Sequence, residues 1–181
     1  MIFVSGVHGV GKDYFSKRME KILGIKSYSA SELIEKYGNL NFNSNKRTTN
    51  INGNQHYLIQ AIKSGNLPRE YILNGHFCLL NSNGEVEKIP INTFYQLKPS
   101  KIIILKEKPE IIVGRRIIRD KEETSVEKTR IFQKEEITYG KDVARKLGIP
   151  VGVFDAINDF EKAAFFISHE IDKSKVIEEI L

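Results

Sequence analysis

The segment Met1–Gly24 leaves this chain few folds to choose from. Met1 to Ser5 is a short β-branched and aromatic run that stops at glycine, the pattern of a buried strand. From Lys12 the apolar period changes: Phe15, Met19, Ile22 and Leu23 recur at helical spacing until Gly24. Between strand and helix, Gly6-Val-His-Gly-Val-Gly11-Lys12-Asp13 fits G-x-x-x-x-G-K at every place but the next, where Ser or Thr belongs. Glycines at 6, 9 and 11 let the backbone curl until its N–H groups converge, the helix adds the positive end of its dipole, and Lys12 adds a compact charge. That combination binds phosphate.

Downstream, strands alternate with helices. Ser29-Ala-Ser-Glu32 reads as a capping box opening a helix to Tyr37. Asn39–Asn54 holds seven asparagines with Lys46 and Arg47, and is expected to be a surface loop. A helix burying Leu58, Ile59 and Ile62 follows to Gly65, then a strand at Tyr71–Asn74. Phe77–Leu80 and Val86–Ile89 flank Ser82-Asn-Gly84 as a hairpin. Lys101–Lys106 is a core strand, and Pro109 sits at the favoured first position of a helix that sets Ile111, Ile112, Ile117 and Ile118 against Arg115, Arg116 and Arg119. Asp120–Ser125 lacks periodicity and reads as a flap. A long helix carries Phe132, Tyr139, Val143 and Leu147 to Gly148, Val151–Phe154 is a further strand, and Phe160, Ala163, Ala164 and Ile167 mark a last helix. Such alternation implies an α/β fold with a mostly parallel sheet covered on both faces, in one domain over 1–181.

Composition narrows the function classes. No segment approaches the roughly 18–20 apolar residues that span a bilayer, so no membrane partner is expected. Met1–Gly6 has neither a basic flank nor a small-residue cleavage site, and the chain has one cysteine, Cys78, so a cytoplasmic protein without disulfides is expected. Cys78 lies among apolar neighbours and reads as core filler. The net charge is +5; Lys98–Lys121 alone has eight basic against three acidic residues, a surplus equal to the whole. That cluster is either a solvated basic face or a partner for phosphates.

Two positions depart from the phosphate-binding pattern. Asp13 puts a carboxylate where a hydroxyl would bind Mg²⁺, and Asn74 puts an amide at a strand end. Either the metal-directed carboxylate has moved from position 74 to Asp13, or the two changes mark a site that binds nucleotide with reduced catalysis.

The stretches FVSGVHGVGK, Asn54-Gln55, ILNGHFCL, the Arg115/Arg116/Arg119 helix and KLGIP together span most of the chain. In these the chain resembles P-loop kinases of small molecules, the nucleoside and nucleotide kinase group that includes adenylate kinases, and within it small bacterial ATP-binding, adenylate-kinase-like proteins. The resemblance implies a three-layer P-loop NTPase fold with a small mobile lid, roughly 115–130, and an acceptor-side loop, roughly 39–55. It implies ATP and Mg²⁺ as cofactors, with Gly6, Val7, His8, Gly9, Val10, Gly11, Lys12, Asp13 and Tyr14 forming the nucleotide-binding segment. Arg115, Arg116 and Arg119 fall where such kinases place lid arginines, whose forks pair with phosphate or stack on adenine. The loop from Asp155 to Asn158 falls where the adenine edge meets backbone groups.

On the acceptor side, Asn54, Gln55, Asn74 and His76 offer neutral donors and acceptors, and Lys46 and Arg47 are placed to close over an anionic acceptor. His76 has the pKa range of a general base for a hydroxyl acceptor, although a histidine satisfied near the core fits the position too. His56 and His169 read as surface residues. The expected activity is phosphotransfer from ATP to a small molecule, a nucleoside or nucleotide. Two alternatives stay open: a nucleotide-binding regulatory protein, and a nucleic-acid-directed NTPase or kinase. The second is disfavoured because the aromatic residues follow core periodicity and are not interleaved with the basic cluster.

Overall fold

The computed structural model describes residues 1–38, 51–65, 67–120 and 124–169. Its centre is a five-stranded parallel sheet in the order β2-β3-β1-β6-β7, built from β1 (Ile2–Ser5), β2 (Ser27–Ser29), β3 (Ile72–Asn74), β6 (Lys101–Lys106) and β7 (Val151–Asp155). A parallel sheet is covered on both faces, so its strands can be apolar throughout. Ile102, Ile103, Ile104 and Leu105 of β6 are all fully buried. Chain segments leave the central β1 first toward β3 and β2 and later toward β6 and β7, and such a divergence opens a crevice beyond the carboxyl ends of the strands.

Helix α1 (Lys12–Leu23) and helix α7 (Phe160–Ser168) meet at one side, with the Phe15 and Phe160 rings edge to face at 5.6 Å. Helix α6 (Val126–Leu147) crosses β6 and lies so close that Gly140 is surrounded by Ile104 and Phe77. Ser125 caps α6 by accepting from Lys128 N–H, which places 124–125 at a helix entrance rather than in a flap; 121–123 lie outside the described residues. The hairpin forms as expected from β4 (Cys78–Leu80) and β5 (Val86–Lys88), a separate antiparallel pair.

Several expectations are corrected. Of the Asn39–Asn54 segment, 39–50 lie outside the described residues, but 51–54 form the first turn of α3 (Ile51–Ser64). Polar composition suits a loop; here Asn54 and Gln55 are buried on a helix face instead. Strand β2 and helix α4 (Ile91–Leu97) were not expected, since three polar residues and a seven-residue segment behind Pro90 carry almost no periodic signal. Helix α2 (Ala30–Gly38) begins just after the capping serine, with Glu32 N–H directed at Ser29 Oγ at 3.5 Å. In α5 (Pro109–Asp120) the buried face is the row Ile112, Val113 and Arg116, whereas Ile118 is 85% exposed and Ile111 and Ile117 are exposed too. The helix turns that row onto the glycine-rich loop, so Ile112 and Arg116 both press on Gly9. Ile22 of α1 is likewise exposed, leaving Phe15 and Met19 as the helix's buried stripe.

Candidate functional site

The turn between β1 and α1 has the backbone that its glycines foretell. Gly6, Gly9 and Gly11 adopt φ of 146°, 87° and 108°, a region that L side chains rarely enter. Side chains are also excluded by space: a Cβ at Gly6 would lie 2.7 Å from Leu105 O, and one at Gly9 2.9 Å from Arg116 Cγ. Gly11 begins α1 without a side-chain cap, and the Arg115 guanidinium lies beside it, 3.7 Å from where a Cβ would sit. Val7 and Val10 are buried and can contribute only main chain. Lys12 Nζ donates to Gly6 O at 2.6 Å and Val7 O at 3.4 Å, folding the cation over the loop.

The loop is clamped from below by a residue absent from the sequence reading. Glu136, fully buried on α6, accepts from Gly6 N–H at 3.1 Å, Phe77 N–H at 2.9 Å and Cys78 N–H at 2.7 Å. One carboxylate thereby ties the start of the phosphate loop to the turn that carries His76. Burial pushes its carboxyl up to about 7, against the pull of those N–H groups and of the Lys12 charge. The signal existed: Glu136 falls four residues after Phe132 and four before Gly140, in phase with the buried stripe. Neighbouring Cys78 is core filler as expected, its thiol pushed up to about 12 by burial and then by Glu136.

Asn74 is also buried, and its Oδ1 accepts from Ser16 Oγ at 2.6 Å, joining β3 to α1. An amide here serves a neutral hydroxyl. Asp13 stands exposed at the rim of the cleft. Among the described residues no cluster of three metal-ligating side chains occurs. As a single exposed carboxylate at the rim, Asp13 is of the donor type that Mg²⁺ takes one or two at a time. His8 and His76 approach to 4.2 Å between ring centroids, both on the cleft, while His56 and His169 are exposed as expected.

The arginines of α5 separate. Arg115 Nη1 donates to Val10 O at 3.1 Å and contacts Gly9 O at 3.4 Å, while Nη2 pairs with buried Glu107 at 3.2 Å. Arg119 lines the cleft. Arg116, expected as a lid arginine on phosphate or adenine, does not: it is buried with its stem against Gly9, a packing position beside the loop. Asp155 does not line the cleft either. Burial raises its carboxyl, but N–H donation from Asn158 and Ile157 outweighs this and holds it below the usual range, so it shapes its own turn. The basic cluster disperses further as Lys101 Nζ caps the end of α7 on Phe166 O and Ile167 O. Lys46 and Arg47 lie outside the described residues.

These elements enclose a cavity of about 610 Å³ whose walls include Gly9, Gly11, Lys12, Asp13, Tyr14, Arg115 and Arg119 on one part, and side chains of α2, α3 and α4 on another. A parallel sheet with a glycine-rich turn between central strand and first helix defines an α/β P-loop fold. Residues 5–131 match the AAA domain family, and the chain belongs to it. Shikimate kinase from Acinetobacter baumannii, solved with shikimate, superposes with a TM-score of 0.60 at 16% identity, covering 92% of this chain and 91% of that one. Deoxyadenosine kinase from M. mycoides superposes with a TM-score of 0.53 at 17% identity, covering 99% of each chain. At such identities the likeness is one of fold. No curated protein matches the sequence.

Proposed function

We propose that the protein is an ATP-dependent phosphotransferase acting on a small-molecule acceptor of the nucleoside or nucleotide class, folded as one domain with Mg²⁺ as its metal. One observation carries the reading: the uncapped, glycine-bent turn with Lys12 opens into the same cavity as a second wall able to hold an acceptor. Shared walls bring two reactants into one orientation, and phosphoryl transfer is mostly positioning and charge stabilisation. Main-chain N–H groups of His8, Gly9 and Gly11 with Lys12 hold phosphates, Asp13 faces the metal, and Arg115 and Arg119 neutralise the charge on the transferring group. His76 stands in the cleft as the base for an acceptor hydroxyl. The kinases that share the fold support the reaction class.

Titration calorimetry with ATP and Mg²⁺, followed by ADP release on a panel of nucleosides and nucleotides, tests the reading. Lys12→Ala should abolish ATP binding. A second reading, nucleotide binding with reduced catalysis, draws on the neutral Asn74–Ser16 pair, which leaves no carboxylate at that strand end. ATP binding without turnover on any acceptor would select it.

A further inference from the structure

His76 stands on the short turn between β3 and β4, and that turn is held on either side of it. Gly75 N–H donates to Val4 O of β1 at 2.9 Å. Phe77 and Cys78 N–H donate to Glu136 at 2.9 and 2.7 Å, and Phe77 O accepts from Ile89 N–H at 2.9 Å. The imidazole is therefore carried between a contact to the sheet and a contact to a carboxylate. The same carboxylate accepts Gly6 N–H, at the start of the phosphate loop, at 3.1 Å.

The two oxygens of Glu136 divide this work. Oε1 accepts from Gly6 and Phe77, whereas Oε2 accepts from Phe77, at 3.0 Å, and from Cys78. Only an ionised carboxylate accepts freely on both oxygens; an amide or a neutral acid makes one of them a donor. A donor facing an N–H would release either the loop or the turn. The helix that carries Glu136 is itself anchored. Three residues before it, Gln133 grips the main chain of Glu107 at 3.0 and 2.9 Å. Three residues after it, Tyr139 Oη donates to Ile89 O at 2.7 Å, just ahead of α4.

Charge reaches Glu136 from Lys12 of α1, while the Cys78 thiol of β4, pushed up to about 12, stays neutral. His8 and His76 belong to the loop and the turn that it joins. Lys12 now donates to Gly6 O and Val7 O, and a phosphate on the loop would compete for it at the residue whose N–H Glu136 holds. A change at the loop is thus felt first at the carboxylate, and through it at Phe77 and Cys78. We propose that Glu136 is a positioning residue of the phosphotransfer site: its two oxygens fix the His76 turn against the phosphate loop, so that a nucleotide on the loop also tightens the turn. The inference rests on the phosphotransfer reading.

Amide hydrogen exchange of the full chain, with and without saturating MgATP, tests it beside ATP affinity by calorimetry. In the wild type at pH 8, MgATP should slow exchange at Phe77 and Cys78 by about fivefold or more, the lower end of coupling between sites. In Glu136→Gln, ATP should still bind and the slowing should vanish. A merely structural role would speed exchange equally with and without ATP and keep the ratio, which overturns the proposal. The wild type alone decides the matter where the variant fails to fold. Burial pushes the Glu136 carboxyl up to about 7, so at pH 5.5 the neutral acid has lost an acceptor. With labelling times scaled to the intrinsic rate, the slowing should then disappear. Equal slowing at both pH values overturns the proposal, as does no slowing in the ATP-bound wild type, or loss of ATP binding in a folded Glu136→Gln. A wild type that binds no ATP overturns the phosphotransfer reading and this inference with it, an outcome the calorimetry tells apart from the rest.

Discussion

A carboxylate taken fully out of water, as Glu136 is, has two opposed demands on it. Burial favours the neutral acid, whereas three backbone N–H donors and nearby Lys12 favour the anion, and the balance falls at about 7 rather than the ordinary 4.5. The folded chain consequently holds this proton to higher pH than the unfolded chain does. Unfolding free energy from this group must fall as pH rises from about 4.5 to about 7, since the native state binds more protons in that window. Urea midpoints of the wild type relative to Glu136→Gln between pH 5 and 8 should show that decline; parallel profiles would contradict it. At pH 8 the glutamine should also cost about 1–3 kcal/mol, because its NH₂ cannot accept from Phe77 or Cys78 N–H. A related test concerns Arg115, whose loss leaves Glu107 buried beside no guanidinium. Arg115→Ala should therefore destabilise more than Arg115→Ala combined with Glu107→Gln, and equal melting of the two proteins would argue otherwise.

At the scale of elements, legibility followed local signals. Gly6, Gly9, Gly11 and Lys12 declare themselves by spacing, and the strands and helices around them follow from periodicity. Glu136 does not, because its partners lie 130 and 59 residues away and a lone glutamate in a helix ordinarily faces water. For the same reason the sequence does not tell which face of α5 is buried: the row Ile112, Val113 and Arg116, which includes a charged residue while Ile111, Ile117 and Ile118 stay exposed, is selected by what it packs on, here Gly9. The docking of α6 on β6 is another non-local feature. A Cβ at Gly140 would lie 2.6 Å from Ile104 Cδ1 and 2.7 Å from the Phe77 ring. Alanine is the better helix former by about 1 kcal/mol, but overpacking costs about 1–3 kcal/mol and the Phe77 ring is locked among Phe3 and Phe94. Gly140→Ala should therefore lower the urea midpoint, whereas Gly114→Ala, with open space around it, should raise it.

The whole molecule sets the glycine-rich loop with Lys12, Arg115 and Arg119 and the helices α2, α3 and α4 around one cavity, with Lys12 and Arg115 already hydrogen-bonded to loop carbonyls. On the phosphotransfer reading, a bound triphosphate would exchange those contacts for stronger charge-assisted ones and couple α1, α5 and α6 through the loop. Ligand that binds only the folded chain stabilises it by mass action. At ATP about 100-fold above its dissociation constant the gain is about 2.7 kcal/mol, a rise in melting temperature of roughly 5–10 °C for a chain this long. Lys12→Ala should show no rise. The metal's share is separable, because Asp13 is the carboxylate at the cleft rim. If Asp13 supports Mg²⁺ beside the phosphates, the rise with Mg²⁺ exceeds that with a chelator in the wild type, and the two become equal in Asp13→Asn. A wild type indifferent to chelation would return Asp13 to the solvated surface and leave the phosphates to Lys12, the arginines and the backbone alone.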